Sequence, residues 1–363
     1  MTTSLPSILT ASVLLIISVN CIETNNLVAL VQIFRHGERT PMKFYPNDPY
    51  KNHWADLNTE QLTNKGRRQM YSLGQHTRNR YSSWIPLKYQ NKFIRASSTD
   101  VDRTLVSGQT FLYGLFPASG DQKWLPTSDW QGIPLHPADP KVLFVSPANC
   151  PTYEKSYAKL LAGKEFVKLN ESLQGLYEYL TNNTGETIDD LHSAETICDT
   201  LGIEEGVGLK LPEWTKKVYP EQLKKVYKYW LKSLTYTKEL KRFYVGSLFN
   251  EMLEFFDEIA TNSTDTKMRV YSGHDDNIAS ILNSFGALDQ LDIPGFGSSL
   301  WLELRKNDGN HFVNVWYKNG DNTTQIRIEG CELDCPLKNM KSLLHDIVID
   351  VENWTKECNY DKR

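Results

Sequence analysis

The apolar and polar positions of this chain divide it into strand–loop–helix regions near both ends and a long helical segment between them. Residues 27–34 are apolar at all but one position and are rich in valine. A continuous apolar run of this length is typical of a strand that is buried on both faces of a parallel sheet. We therefore predict a central strand here, followed by a loop that closes at Pro41.

Two more regions carry the same strand-to-helix pattern. Residues 92–96 predict a short strand, and Thr99 with Asp102 has the spacing of a capping box, so a helix with Leu105 and Leu112 on its inner face should follow. Residues 268–272 predict another strand, which leads through His274 and Asp275 into a helix that Gly286 ends. In that helix the apolar residues recur at helical spacing, namely Ile278, Ile281, Leu282 and Phe285.

The remaining pattern is simpler. Thr63 should begin a helix with Met70, Leu73 and Thr77 on one face, and the turn at 307–310 predicts a hairpin between strands at 300–304 and 311–317. A last helix is expected over 337–351. Residues 120–151 are loop-like, with six prolines, and residues 153–260 are almost entirely helical.

This order predicts an α/β core that is interrupted by a helical insertion. We assign residues 22–130 and 261–363 to the core and residues 131–260 to a mostly helical cap. The short apolar run at 8–19, with small residues near Cys21, is typical of a secretory signal, so residues 1–21 are assigned to a signal peptide. That run is too short to span a bilayer, and the polar carboxyl end gives no membrane anchor.

Asparagine sequons and cysteines agree with export. Five Asn-x-Ser/Thr sequons begin at Asn170, Asn182, Asn262, Asn322 and Asn353. Five cysteines would remain after cleavage, namely Cys150, Cys198, Cys331, Cys335 and Cys358. Most should pair in an oxidising compartment, and the odd number leaves one thiol free or paired between chains. The Cys331–Cys335 spacing also suits zinc, but no second pair accompanies it.

Composition excludes little except a nucleic-acid binder. The chain has 363 residues, a net charge of −4 and no long basic run. Hydrophobic content of 40% and charged content of 23% are ordinary for a globular protein. Neither nucleic acid nor membrane is an expected partner.

The candidate chemistry lies in the loops that follow the three predicted strands. Arg35, His36 and Arg39 follow the first strand, Arg103 falls in the first turn of a helix, and His274 precedes Asp275. If the strands are parallel neighbours, these loops meet in one crevice. Guanidinium groups can hold the oxygens of a phosphate monoester, an imidazole can attack phosphorus, and a carboxylic acid can protonate the leaving alkoxide. None of the remaining histidines has a metal-binding spacing, these being His53, His76, His136, His192, His311 and His345.

Three motifs resemble those of the histidine acid phosphatases. The segment 35–41, Arg-His-Gly-Glu-Arg-Thr-Pro, is similar to the RHGxRxP signature, and 98–104 and 274–275 are similar to the other two motifs in the same order. The resemblance implies a three-layer α/β core with a helical cap, no metal or other cofactor, small phosphate monoesters as substrates, and room for a homodimer. It further implies His36 as the nucleophile and Asp275 as the proton donor, with Arg35, Arg39, Arg103 and His274 holding the phosphate.

The resemblance also implies two disulfides, Cys150–Cys358 and Cys331–Cys335. A third bridge in the family would need a partner for Cys198 near Ser298 and Ser299, where this chain has no cysteine. Cys198 is therefore expected to be unpaired.

The sequence thus favours a secreted acid phosphatase that acts through a phosphohistidine. A phytase or a lysophosphatidate phosphatase with the same site is an alternative, and so is a non-catalytic secreted or venom binding protein on a phosphatase scaffold. The presence of His36, Asp275 and the arginines argues against the last. A phosphomutase with the same site is a further alternative, but the phosphomutases of the superfamily that the chain resembles are cytosolic and lack the signal and the cap. An aspartic acid with an ordinary pKa of about 3.9 as proton donor predicts activity under acid conditions.

Overall fold

The computed structural model describes residues 26–54, 58–143 and 150–360. The predicted signal peptide, residues 1–21, lies outside the described residues. The strands are β1 Leu27–Arg35, β2 Ile94–Ser98, β3 Leu135–Pro137, β4 Met268–Gly273, β5 Ser299–Asn307, β6 Asn310–Asn319, β7 Asn322–Ile326 and β8 Cys335–Pro336. The helices are α1 Asn64–Arg80, α2 Asp102–Leu115, α3 Pro151–Leu161, α4 Lys164–Thr184, α5 Leu191–Gly206, α6 Glu221–Ser233, α7 Lys238–Tyr244, α8 Gly246–Ala260, α9 Asp275–Ser284, α10 Leu337–Leu344 and α11 Val351–Glu357.

A single mixed sheet organises these elements, in the order β3-β2-β4-β1-β5-β6-β7, with β8 paired to β6. β3, β2, β4 and β1 run parallel, and β5 is antiparallel to β1. The predicted hairpin is β5–β6, whose turn residues Asp308 and Gly309 both have positive φ, as a type I′ turn requires. Because β2, β4 and β1 are parallel neighbours, the loops after them leave from the same edge of the sheet.

Helices cover both faces of the sheet, which confirms the three-layer α/β class. On one face of β1, Ala29, Val31 and Ile33 belong to the apolar cluster that includes α8 and α9, while Leu30 and Phe34 pack with α1 and α2 on the other. The polar exception in β1, Gln32, donates its side-chain NH2 group to Thr77 Oγ1 of α1 and to Ser299 Oγ of β5, so the buried amide nitrogen is satisfied.

The middle of the chain is helical, as the pattern predicts. The ends of the predicted cap range nevertheless contact the sheet, because β3 pairs with β2 and α8 packs on β1. The apolar cluster of the sheet continues into α4 and α6 through Leu180 and Val226. The division into a core and a separate cap domain stays a prediction.

Three local predictions were wrong. Thr99 does not cap α2, which begins with Val101 as its N-cap and without a side-chain cap hydrogen bond. Residues 120–151 are predicted to be loop-like, but they contain the strand β3, whose last residue is a proline, which is not typical of a strand. The expected helix over 337–351 is two helices, since α10 ends at Leu344 and the side chain of Asp350 accepts a hydrogen bond from Asn353 N to begin α11.

The described part of the chain contains two disulfides. Cys150 is joined to Cys358 and Cys331 to Cys335, and Cys198 is free and buried in α5, as the resemblance implies. The first bridge connects α3 to the carboxyl end, where Trp354 and Phe243 complete a small apolar cluster. None of the described helices is both long and apolar enough to cross a bilayer.

A buried carboxyl group makes the stability of this fold depend on pH. Glu204 of α5 is fully buried, and burial together with the negative charge of Asp48 raises its pKa to about 8. The folded state therefore holds this proton more tightly than the unfolded chain, in which the pKa of a glutamate is about 4.3. As the pH rises from 4.3 towards 8, the unfolded chain loses its proton first, so folding stability decreases.

We expect Glu204→Gln, which imitates the protonated carboxyl group, to raise the melting temperature at pH 8 by a few degrees and to change it little at pH 5. Thermal unfolding of the wild type and the variant at both pH values measures this difference. Glu254→Gln, at an exposed position of α8, is the matched control and should not alter the pH dependence. An equal shift of the E204Q melting temperature at both pH values would contradict the argument.

Candidate active site

The three predicted loops meet at one edge of the sheet and bring all six predicted site residues together. Arg103 Nε lies 3.2 Å from His36 Nε2, and the rings of His36 and His274 are 5.4 Å apart. Arg35 Nη2 is 3.0 Å from Asp275 Oδ2. The distances place the cationic and acidic groups within one side chain's reach of the His36 imidazole.

The glycine of the first motif allows this loop to pack directly on α1. A Cβ at Gly37 would overlap the backbone of Gly66, and a Cβ at Gly66 would overlap Glu38. The loop is also tied to α2, because Gly37 N donates to Ser107 Oγ at 3.1 Å. This close approach of two backbones explains why the position after His36 is a glycine.

His36 is a neutral imidazole with a defined tautomer. Its Nδ1 lies 2.8 Å from the carbonyl oxygen of Gly37, which can only accept, so Nδ1 carries the hydrogen. Its Nε2 receives the Nε–H of Arg103 and is therefore unprotonated. Burial, with the neighbouring His274 and arginines, lowers the pKa of His36 well below its usual value. The imidazole consequently keeps an unprotonated ring nitrogen at a pH below the ordinary pKa of histidine.

His274 is neutral as well, and it is held in place by Thr99, which the sequence predicted as the cap of a helix. Burial and the charge of Arg103 lower the pKa of His274 to about 3. Its Nε2 lies 3.0 Å from Thr99 Oγ1, which is also 2.7 Å from Thr104 Oγ1. Thr99 thus orients a site histidine instead of capping α2.

Two of the arginines are bound to one buried aspartate. Asp199 of α5 accepts from Arg39 at both carboxylate oxygens, at 3.0 and 3.1 Å, and lies 3.9 Å from Arg35 Nη2. The Nε–H groups of Arg35 and Arg39 are buried without a hydrogen-bond partner in the described part of the chain. Buried donors that lack an acceptor are uncommon and here favour an anionic ligand.

Asp275 is held by a cation and by a phenol. Arg35 and the hydroxyl of Tyr227, on α6, both contact its Oδ2. Burial opposes the charge of this carboxylate, but Arg35 and the hydrogen bond from Tyr227 outweigh burial and lower the pKa of Asp275. In the free site Asp275 is therefore ionised near neutral pH.

Helix geometry adds to the positive potential. Arg103 lies in the first turn of α2, and Asp275 is the first residue of α9. Helix amino termini present free N–H groups and the positive end of the helix dipole, both of which favour an anion. In the described part of the chain, no group of three or more His, Cys, Asp and Glu side chains is arranged to hold a metal ion.

These side chains lie at one end of a cavity of about 710 Å³, whose other walls come from α3 to α7. His36, Arg39, Arg103 and Asp275 line it directly. The cavity is much larger than a phosphate group and has space for a leaving group.

Sequence reasoning missed several residues of the site. Asp199 and Tyr227 come from the helical segment, and Glu60 accepts from Arg103 Nη1 at 2.7 Å from a loop position with φ of 62°. None of them belongs to a motif, and only their contacts with the arginines and Asp275 reveal them. His192, which the sequence leaves as an ordinary histidine, lines the cavity and lies 3.5 Å from Glu195.

The guanidinium groups predict that a tetrahedral oxyanion stabilises the fold. Inorganic phosphate should raise the melting temperature, by an amount equivalent to about 2.7 kcal/mol at a concentration 100 times its Kd. Arg103→Ala should abolish most of this shift. Arg95→Ala, an exposed arginine of the neighbouring strand, is the matched control and should retain it. A phosphate shift that survives in R103A would place the anion elsewhere.

Comparisons with known proteins agree with this geometry. The chain is 31% identical to prostatic acid phosphatase of Bos taurus over 335 residues, which is 90% of this chain and 86% of that protein. It is 30% identical to lysosomal acid phosphatase of Xenopus laevis over 356 residues, which is 95% of this chain and 82% of that protein. Among solved structures, the phytase of Citrobacter braakii has the same fold, with a TM-score of 0.67 and 18% identity over 92% of this chain and 99% of that one.

A family model matches most of the chain as well. The model for the histidine phosphatase superfamily, branch 2, covers residues 26–318 and so includes all three site loops. The protein belongs to branch 2 of the histidine phosphatase superfamily.

Proposed function

We propose that the protein hydrolyses phosphate monoesters through a phosphohistidine formed on His36. The observation that carries this proposal is the unprotonated Nε2 of a buried imidazole that lies among three guanidinium groups. A nucleophile that stays neutral in acid, beside cations that can hold the phosphate, suits phosphoryl transfer at low pH.

In the first step, His36 Nε2 attacks phosphorus and the bond between phosphorus and the ester oxygen breaks. Arg35, Arg39, Arg103 and His274 hold the phosphoryl oxygens, and the arginines neutralise their charge. The positive charge that develops on the imidazole is stabilised by the hydrogen bond from Nδ1 to the carbonyl of Gly37, which is already formed.

The leaving alkoxide takes its proton from Asp275. In the second step, the same carboxylate accepts a proton from water, the water oxygen attacks phosphorus, and the bond to Nε2 breaks to release phosphate and the free imidazole. Asp199 does not touch the substrate in this scheme. It is a positioning residue that fixes the guanidinium of Arg39 and balances its charge.

Acid conditions should favour the reaction. The pKa of Asp275 is lowered in the free site, so a proton for the leaving group is available only when the pH is low enough to place one on Asp275 or on the bound phosphate, whose second pKa is about 6. His36 remains neutral under the same conditions. The names of the prostatic and lysosomal acid phosphatase relatives agree with this expectation.

The alternative of a non-catalytic binding protein has less support. Such a protein would have no need for a neutral nucleophile, a proton donor and three buried arginines gathered in one site. The presence of the complete set favours catalysis.

We further infer that the protein is exported. Both disulfides suit an oxidising compartment, and four sequon asparagines are exposed, namely Asn182, Asn262, Asn322 and Asn353. Asn170 is half-buried and lines the cavity. We also propose that the signal peptide is cleaved and that exposed sequons are glycosylated. A homodimer is a separate proposal.

The phosphohistidine is tested by trapping it. A ³²P-labelled phosphomonoester that is quenched during turnover and analysed under alkaline conditions, where phosphohistidine survives, should leave label on His36. His36→Ala should show no label and a loss of turnover of several orders of magnitude. His136→Ala, at an exposed position of β3, is the control and should behave as the wild type. Label on another residue, or turnover by H36A, would refute the mechanism.

The role of Asp275 is tested through its partner Tyr227. Tyr227→Phe removes a hydrogen bond that stabilises the carboxylate, so the pKa of Asp275 should rise. The decline of kcat/KM on the alkaline side should therefore move to higher pH, as measured with a phosphate monoester from pH 4 to 9. A wild-type profile that rises steadily to pH 9, or a Y227F profile that moves to lower pH, would contradict Asp275 as the donor.

A further inference from the structure

Much of the cavity wall outside the catalytic loops is apolar. It is formed by the helical segment, with Phe166 and Leu169 from α4, Trp230 from α6 and Leu234 just after it. A phosphate that is held by the arginines would direct its leaving group towards these side chains, because the helical segment supplies most of the remaining lining of the cavity.

Four tyrosines also line this cavity, but their hydroxyl groups already form hydrogen bonds within the protein. Tyr153 donates to the carbonyl of Leu234 at 2.8 Å, and the hydroxyl of Tyr157 is 2.9 Å from Ser233 Oγ. Tyr227 donates to Asp275, and Tyr244 donates to Asp276 at 2.7 Å. The tyrosines therefore add ring surface to the cavity, and their polar ends are already occupied.

The arginines of the cavity belong to the phosphate site, and its other charged or titratable side chains from the helical segment are Glu171, Asp190 and His192, which are exposed, and the buried Glu195. Arg39 and Arg103 are its lining arginines, and no lysine lines it in the described part of the chain. Glu195 and Asp276 are buried carboxyl groups whose pKa burial raises to about 7, so both are uncharged in acid. A second phosphate on the leaving group would meet the carboxyl groups of Glu171 and Asp190, and no arginine or lysine of the described residues lies there to offset them. His192, whose pKa its hydrogen bond to Glu195 raises, can supply a single positive charge in acid.

The exposed residues that line the cavity include three apolar side chains beside Glu171, Asp190 and His192. Met42, Leu161 and Val167 line the cavity, and each exposes about two fifths of its surface. Exposed apolar side chains that are scattered singly are normal, but three that line the same cavity offer apolar surface to a bound ligand.

We propose that this site selects phosphate monoesters whose leaving group is apolar, either an alkyl chain or an aryl group. The inference rests on the proposed phosphatase function. The phosphate lies against the arginines, and the leaving group lies along Phe166, Leu169 and Trp230 and leaves the cavity past Leu161 and Val167. A polyphosphorylated inositol, which is a polyanion, is a poor fit for the same walls.

A homologous series of n-alkyl phosphates from ethyl to octyl, each below its micelle concentration, tests the inference. The alcohols have similar leaving-group chemistry, so differences in kcat/KM report on burial of the chain. Each buried methylene is worth up to roughly fourfold, and we expect octyl phosphate to exceed ethyl phosphate by on the order of 10²-fold at pH 5. A naphthylethyl phosphate, compared with octyl phosphate, separates an aryl source from a lipid-like source, and a preference for either supports the proposal.

The contribution of these exposed apolar side chains is tested by a double variant. Leu161→Asn with Val167→Asn should lower the octyl-to-ethyl ratio of kcat/KM several-fold. Leu343→Asn, an equally exposed leucine of α10 away from the cavity, is the matched control and should leave the ratio unchanged.

The possible failures are distinguishable. A constant kcat/KM along the alkyl series, or faster hydrolysis of myo-inositol hexakisphosphate than of octyl phosphate, would overturn the apolar leaving-group site while the phosphatase function stands. Absence of turnover with every phosphate monoester, together with absence of label on His36, would instead overturn the proposed function itself.

Discussion

The burial of positive charge around one imidazole is the constraint on which this site depends. Arg35 and Arg39 are almost fully removed from water, a state that is tolerable only when carboxylates pair with them. Asp199 and Asp275 supply this pairing, and the same cations disfavour protonation of His36. The arrangement that holds an anion therefore also keeps the nucleophile unprotonated. A change that relieved the charge would weaken both properties together.

The two parts of the chain contribute differently to the site. The sheet core positions the reacting groups, because three parallel strands end at one edge and their loops present His36, Arg103 and Asp275. The helical segment supplies Asp199, which fixes the arginines, and Tyr227, whose hydrogen bond adds to the effect of Arg35 in lowering the pKa of Asp275. The same segment forms the apolar walls of the cavity. In the proposed mechanism the reacting groups come from the sheet core and the walls around the leaving group come from the helices, although both parts share one continuous apolar cluster.

Low pH affects both the folding stability of this protein and the charge of its cavity. The buried carboxyl groups Glu195, Glu204 and Asp276 all have raised pKa values, so the fold holds protons that the unfolded chain would release. Protonation of the two that line the cavity region, Glu195 and Asp276, also removes negative charge near an anionic substrate. These three carboxyl groups therefore favour the folded state at low pH, whereas the buried neutral imidazoles of His36 and His274, whose pKa values are lowered, oppose it below the ordinary histidine pKa of about 6.5.

The sequence by itself determined the strands that carry the site, the loops after them and the helical nature of the middle segment, because these depend on local patterns and on short motifs. It predicted the six site residues, including Arg103, whose position in the first turn of α2 follows from the strand before it. Only the tertiary structure decided that β4 lies between β2 and β1, that Thr99 binds His274, and that Asp199 reaches Arg39 from 160 residues away. Such contacts leave no periodic trace in the chain, since they form between surfaces that meet only when the sheet and the helices are assembled. The break between α10 and α11 and the apolar cavity wall are decided in the same way, by packing against distant neighbours.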